Sequence, residues 1–169
     1  PILLRALAKV REEHPGVRLT LVAKLKEKGE AAKLLDKLAL RDAVDLVSGV
    51  DDDELAALVG TAEIAVVPSM YEGFSLPAVE AMSSGCALVA SRAGALPEVV
   101  GTDDSAARLV EPGDVDALAR EISALLADPA ERRRLSEGGR ARVMEQLSWA
   151  HSVPHLLAAY DRIFAKLGR

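Results

Sequence analysis

With 169 residues, half of them hydrophobic, the chain has the size of one domain and enough apolar side chains to bury a core. A formal net charge of −5, no basic stripe, and only one Trp, two Tyr and two Phe exclude a nucleic-acid partner. The single cysteine, Cys86, excludes an internal disulfide and a cysteine zinc site, and no apolar run reaches the ~20 residues of a membrane span.

The hydrophobic pattern predicts a helix from about Leu3 to Glu13, a strand from Arg18 to Ala23, a helix from Glu27 to Ala39 and a strand from Val44 to Ser48. A helix over Asp53 to Gly60, a strand over Ile64 to Pro68, a helix over Leu76 to Ser84 and a strand over Ala87 to Ser91 follow. A short turn of helix at Leu96 to Val100 and a strand at Arg108 to Val110 complete the alternation. Three helices close the chain: Asp114 to Ala127, apolar at Val115, Leu118, Ile122 and Leu125; Pro129 to Gln146, strongly charged; and His151 to Leu167, apolar at Leu156, Leu157, Tyr160, Ile163 and Phe164. Short apolar strands separated by helices imply a doubly wound, Rossmann-like α/β fold whose parallel sheet is covered on both faces. Ligands in such a fold are expected at the carboxyl ends of the strands. Cys86 follows Gly85 at a helix-to-strand turn and reads as packing, while His151 and His155 form an i,i+4 pair without nearby acids of ligand spacing. No metal site is expected.

The run EGFSLPAVE, Glu72 to Glu80, falls across a strand-to-helix junction and carries two acids eight residues apart. Pro77 is acceptable only in a first helical turn, so the helix should begin at Ser75 or Leu76. The amides of Phe74, Ser75 and Leu76 are then free, and a helix N-terminus of this kind binds anions, phosphate above all. Eight helical residues rise ~12 Å, too far for the ~5–9.5 Å separation of a cooperating acid and base in a glycosidase. Two acids flanking an anion site are instead placed to hold hydroxyls at the two ends of a nucleotide diphosphate-sugar.

The segment Pro68 to Val100, with its E-x7-E spacing at Glu72 and Glu80, resembles the signature region of the family-4 retaining glycosyltransferases of the GT-B fold. The stretches from Val44 to Ser69 and from Ala107 to Trp149 resemble the rest of the same C-terminal nucleotide-sugar domain, so the likeness covers nearly the whole chain. The resemblance implies that Glu72 is the catalytic residue of the motif, contacting and orienting the transferred sugar, and that Glu80 binds the ribose hydroxyls. It likewise implies that the amides of Gly73, Phe74, Ser75 and Leu76 meet the sugar and diphosphate. Gly73 is small enough to let a ligand approach the backbone. The base is implied to lie on backbone at Gly49, Val50 and Asp51, although an ordinary turn in which Asp51 or Asp52 caps the next helix fits those residues equally.

The implied chemistry is front-face substitution at a hexose-type sugar, in which the departing phosphate oxygen takes the acceptor's proton; no cofactor is expected beyond the nucleotide-sugar donor. The acceptor, a sugar, lipid-linked or small molecule, would sit on an N-terminal domain outside these residues. A cytoplasmic location follows from the lack of a signal-peptide pattern, with the inner membrane face as a peripheral station for lipid-linked acceptors. A non-transferase GT-B enzyme, an epimerase or phosphorylase, and a nucleotide-sugar-binding module are the other readings.

The sequence also departs from the family. The first strand of such a domain, and the Arg and Lys on the loop after it, have no counterpart, since Pro1 already lies in the following helix. The usual glycine-rich turn after the next strand is replaced by Val22-Ala23-Lys24-Leu25-Lys26, where Lys24 or Lys26 either meets a phosphate or is solvated. With a strand order of 3-2-1-4-5-6, the missing strand would sit between Arg18–Ala23 and Ile64–Pro68. Those two strands are expected to pair directly, or to leave apolar edges that favour self-association or low stability.

Overall fold

The computed structural model describes residues 1–25, 29–166 and 168. Fourteen segments alternate along the chain: α1 (Ile2–Glu13), β1 (Leu19–Val22), α2 (Glu30–Lys37), β2 (Val44–Val47), α3 (Asp52–Thr61), β3 (Ile64–Val67), α4 (Leu76–Ser83), β4 (Ala87–Ser91), α5 (Leu96–Val100), β5 (Ala107–Val110), α6 (Val115–Ala127), α7 (Pro129–Arg142), a π-helical turn (Val143–Leu147) and α8 (Trp149–Lys166). The α/β alternation is the expected one, and most ends move by a residue or two. The start expected for α2 at Glu27, the end expected for α8 at Leu167, and Lys26 lie outside the described residues.

Local chemistry accounts for several of these ends. Asp51 and Glu54 form a reciprocal capping box, with the Glu54 amide 2.9 Å from Asp51 Oδ1 and the Asp51 amide 3.0 Å from Glu54 Oε2, so α3 starts at Asp52, one residue before the expected Asp53. Asp114 caps α6 by accepting from the Ala117 amide at 2.8 Å. Asp128 closes α6 and opens α7 at once, accepting the Ala130 and Glu131 amides at 3.0 Å, while Pro129 occupies a first-turn position that needs no donor. The expected helix to Gln146 loses α-helical pairing after Arg142 and continues as the π turn.

The strands form two parallel sheets. β1 pairs with β2, Leu19 opposite Val44, and β4 lies between β3 and β5, with Val89 opposite Val66 and Arg108. All five residues of β4 are buried, because helices cover both of its faces. The period-2 alternation sends Leu88 and Ala90 into a core with Met82 of α4, Leu96 and Val100 of α5 and Val143 of the π turn, whereas Ala87 and Val89 face Val10 of α1, Leu118, Ile122 and Leu125 of α6 and Leu135 of α7. Leu4 and Leu7 of α1 enter a third cluster with Leu35, Leu40 and Val44. Helix α1 thus packs on both sheets and joins them.

Between β1 and β3 no backbone ladder forms among the described residues, so of the expected outcomes direct pairing of these two strands is the one that does not occur. The strands make two separate parallel ladders, β1-β2 and β3-β4-β5. Both strands of the two-stranded sheet have the exposure of edge strands: Val22 of β1 and Leu46 of β2 are each 45% exposed, against 0% for Val89 at the centre of the other sheet.

In α7, Gly138 lets the helix backbone meet the backbone of the loop before β5, and Gly139 lets it meet the Met82 side chain of α4. A Cβ on Gly138 would stand 2.0 Å from the Ser105 carbonyl oxygen, and one on Gly139 would stand 3.0 Å from Met82 Cγ. At the other extreme, α8 has no buried residue, and its Leu156, Leu157, Tyr160, Ile163 and Phe164 stripe is uncovered.

Candidate functional site

The loop between β3 and α4 and the loop between β4 and α5 meet at the carboxyl edge of the three-stranded sheet. Glu72 is held there at two points. Its carboxylate accepts a hydrogen bond from the Ser69 hydroxyl at 2.7 Å, and its backbone carbonyl accepts one from the Ala95 amide at 3.0 Å. Gly94, at φ +53°, makes the second contact possible: a Cβ at that position would lie 2.1 Å from the Glu72 carbonyl oxygen and 3.1 Å from its amide nitrogen. Gly73 is different, since a Cβ there would meet nothing within 4 Å. The protein itself does not require a glycine at Gly73; the space beside it is open.

Helix α4 begins at Leu76, within the expected pair of positions, with Ser75 as its N-cap residue. Ser75 adopts a left-handed conformation, φ +74° and ψ +77°, so its hydroxyl makes no cap hydrogen bond. Its carbonyl accepts from the Ala78 and Val79 amides at 3.2 and 3.3 Å, and Pro77 has no amide hydrogen to satisfy. The amides of Gly73, Phe74, Ser75 and Leu76 find no acceptor among the described residues. Four successive free donors and the positive end of α4 make an anion-attracting edge. Ser75 Oγ is buried and also lacks a partner, alone among the buried side-chain nitrogen and oxygen atoms of the described residues. Around this edge the apolar side chains of Met70, Tyr71, Phe74 and Leu76 are exposed rather than packed into the core.

Glu80 stands on the second turn of α4 and is exposed; its carboxylate has no hydrogen-bond or ion-pair partner among the described residues. Val50 lies at the carboxyl end of β2, in the other sheet, after Gly49 at φ +77°. Val50 makes no backbone hydrogen bond with the described residues, while Asp51 beside it is engaged in the α3 cap. The capping reading of Asp51 therefore holds, and it leaves the Val50 backbone free. Lys24 is exposed and without an ion-pair partner among the described residues. The structure thus brings Glu72, the Gly73–Leu76 amides and the Gly94 turn together, and leaves Val50 and Lys24 on the other sheet.

Comparison with known proteins gives this edge a family. A sequence model described as glycosyl transferases group 1 matches residues 1–142. The chain belongs to this family. It is 51% identical over 165 residues to the MMP alpha-(1->4)-mannosyltransferase of Mycolicibacterium hassiacum, an alignment covering 98% of this chain and 40% of that protein. Among solved structures, the C-terminal domain of a group 1 family protein (LpcC) from Francisella tularensis superposes with a TM-score of 0.78 at 26% identity, covering 88% of this chain and 78% of that one. HepE from Anabaena in complex with UDP-glucose superposes with a TM-score of 0.74 at 26% identity, covering 85% of this chain and 40% of that one. The chain spans about 40% of the length of the mannosyltransferase it matches.

For this group 1 member, sequence reasoning missed Ser69, Gly94 and the Ser75 hydroxyl. Nothing in the residue pattern around Gly94 announces that its backbone meets Glu72, because the two loops follow different strands and become neighbours only when β3 and β4 pair. Cys86 is buried as expected, its thiol pushed up by desolvation and its Sγ 2.8 Å from the Val59 carbonyl oxygen, tying the end of α3 to β4. The rings of His151 and His155 stack with centroids 4.5 Å apart, and no cluster of three metal-ligating side chains occurs among the described residues. Away from the edge, Glu131 receives Arg134 at 2.7 Å and Arg108, which together hold its carboxyl below the usual range, Arg134's hydrogen bond having the larger effect.

Proposed function

We propose that the chain is the donor-binding part of a retaining, family-4 type glycosyltransferase of GT-B architecture. It would move a hexose-type sugar from a nucleotide diphosphate-sugar to an acceptor hydroxyl. The observation that carries this reading is the row of four unpaired amides, Gly73 to Leu76, lying between Glu72 and the free carboxylate of Glu80. A diphosphate placed over the amides would find four donors and a helix N-terminus. Glu72 would then contact the sugar and Glu80 the ribose at the two ends of the same ligand, with the base near the free backbone of Val50. The mannosyltransferase activity in the name of the 51%-identical relative and the UDP-glucose bound to the Anabaena protein support a nucleotide-sugar as donor.

The chemistry in this reading is positioning. Departure of the diphosphate builds negative charge on its oxygens, and preorganised amides stabilise that charge without reorganising. The leaving oxygen takes the acceptor's proton on the same face, so the configuration is retained and the chain supplies no nucleophile of its own. Glu72 orients the sugar as its anomeric carbon reacts, so its contact matters most in the transition state. The acceptor, a sugar, lipid-linked or small molecule, would be presented by residues outside this chain, and a cytoplasmic enzyme working near the inner membrane face fits this reading.

Calorimetric titration with UDP-, GDP- and ADP-sugars identifies the donor. In the full-length polypeptide that carries this chain, Glu72→Ala is expected to depress turnover more than donor affinity, and Glu80→Ala to weaken donor affinity by about tenfold, the effect of one lost hydrogen bond to a charged group. The opposite pattern would overturn the two roles, and no binding of any nucleotide-sugar would overturn the function.

A further inference from the structure

We infer that Gly94 and Ser69 are positioning residues for Glu72, acting on it from two different strand ends. The inference rests on the proposed role of Glu72 as the sugar contact and names what sets its place. Ser69, two residues beyond β3, fixes the carboxylate through its hydroxyl at 2.7 Å. The Ala93–Ala95 turn, beyond β4, fixes the backbone: the Ala95 amide holds the Glu72 carbonyl at 3.0 Å, and Gly94 lies flat against that same carbonyl.

Two separate reasons demand glycine at Gly94. Its φ of +53° is left-handed, which other residues adopt only at a cost. More decisively, real Cβ atoms do not approach another heavy atom closer than 3.0 Å, and here a Cβ would lie 2.1 Å from the Glu72 carbonyl oxygen. The obstacle is backbone and cannot rotate away. Any side chain at Gly94 therefore moves Glu72, or the turn, by about 1 Å, a displacement that in a positioned site costs on the order of a hundredfold in rate. The amides of Ser75 and Leu76 are anchored separately, by the first turn of α4, so the displacement is concentrated on Glu72.

Sugar transfer and UDP, GDP and ADP binding are measured in the full-length polypeptide for Gly94→Ala, Glu72→Ala and the double variant. Gly94→Ala is expected to lower kcat by about a hundredfold and to leave nucleoside diphosphate affinity within about twofold. In the Glu72→Ala background the same substitution is expected to cost no more than about twofold, because its effect runs through Glu72. Ser69→Ala is expected to lower kcat by about tenfold, as for one hydrogen bond to a charged group, and Ser69→Thr, which keeps the hydroxyl, to restore most of it. Should Gly94→Ala fail to fold, the Ser69 pair decides. If Glu72→Ala leaves transfer intact, the role of Glu72 falls and the inference with it. If Glu72→Ala cripples transfer while Gly94→Ala and Ser69→Ala leave it unchanged, or their losses add fully to that of Glu72→Ala, the function stands and the positioning role is overturned.

Discussion

Replacing Ser75 by Gly should make this protein more stable. Ser75 is held at φ +74°, where its Cβ crowds the following carbonyl, at a cost of about 1–2 kcal/mol for an L-residue. Its buried hydroxyl lacks a partner, which costs a further ~1–3 kcal/mol of uncompensated desolvation. Glycine removes both terms and adds ~0.5–1 kcal/mol of backbone entropy to the unfolded chain. The balance favours Ser75→Gly by about 1–4 kcal/mol, and at this chain length each kcal/mol raises Tm by about 2–4 °C. Ser75→Ala separates the two causes, since it keeps the strained backbone and discards the hydroxyl; it should stabilise by about 1–3 kcal/mol, less than glycine does. Thermal unfolding of the 169-residue chain, followed by circular dichroism, measures both. If both variants melt lower than the parent, the hydroxyl is held by a bond, and the reasoning from an orphaned, strained residue fails. Strain and unsatisfied polar atoms concentrate where a chain is shaped for a ligand, which is why this residue matters at the head of α4.

Gly138→Ala should destabilise the chain by about 3 kcal/mol despite gaining ~1 kcal/mol of helix propensity, because its Cβ would overlap the Ser105 carbonyl 2.0 Å away; an unchanged denaturation midpoint would show that α7 can shift freely. The carboxyl of Glu131 is held below its usual range by Arg134 and Arg108, so its contribution is present above the unfolded pKa of ~4.3 and is lost as pH falls through the lower folded value. Glu131→Gln should therefore flatten the loss of stability below about pH 4.3, and an unaltered acid limb would remove Glu131 from the account. The unpaired edges of β1 and β3 should make the isolated chain self-associate with rising concentration in size-exclusion chromatography with light scattering; a cooperative, high-melting monomer would contradict that.

Much of this architecture is legible in the chain because local causes set it. The apolar run Ala87–Ala90, closed by Ser91, forms the buried central strand with both ends where expected, since a strand covered on both faces shows no polar alternation to confuse its limits. Pro77 places the start of α4, and with it the free amides, because a proline ring fits a helix only in its first turn. The acids of the candidate site, Glu72 and Glu80, are likewise visible as a spacing around that junction.

The tertiary structure alone decided the rest. Gly94 and Glu72 are 22 residues apart, and their contact exists only because parallel pairing of β3 with β4 brings the two following loops to one edge. Ser75 looks like an ordinary helix cap in sequence; only its positive φ turns the hydroxyl away from the amides it would otherwise satisfy. The glycines of α7 read as weak points of a charged helix until the Ser105 carbonyl is found against Gly138. Sequence periodicity reports which face of an element is apolar, because that follows from the backbone repeat of one segment. Which carbonyl lies 2.1 Å from an absent Cβ depends on how two segments are joined through the sheet, and no repeat within either segment encodes it.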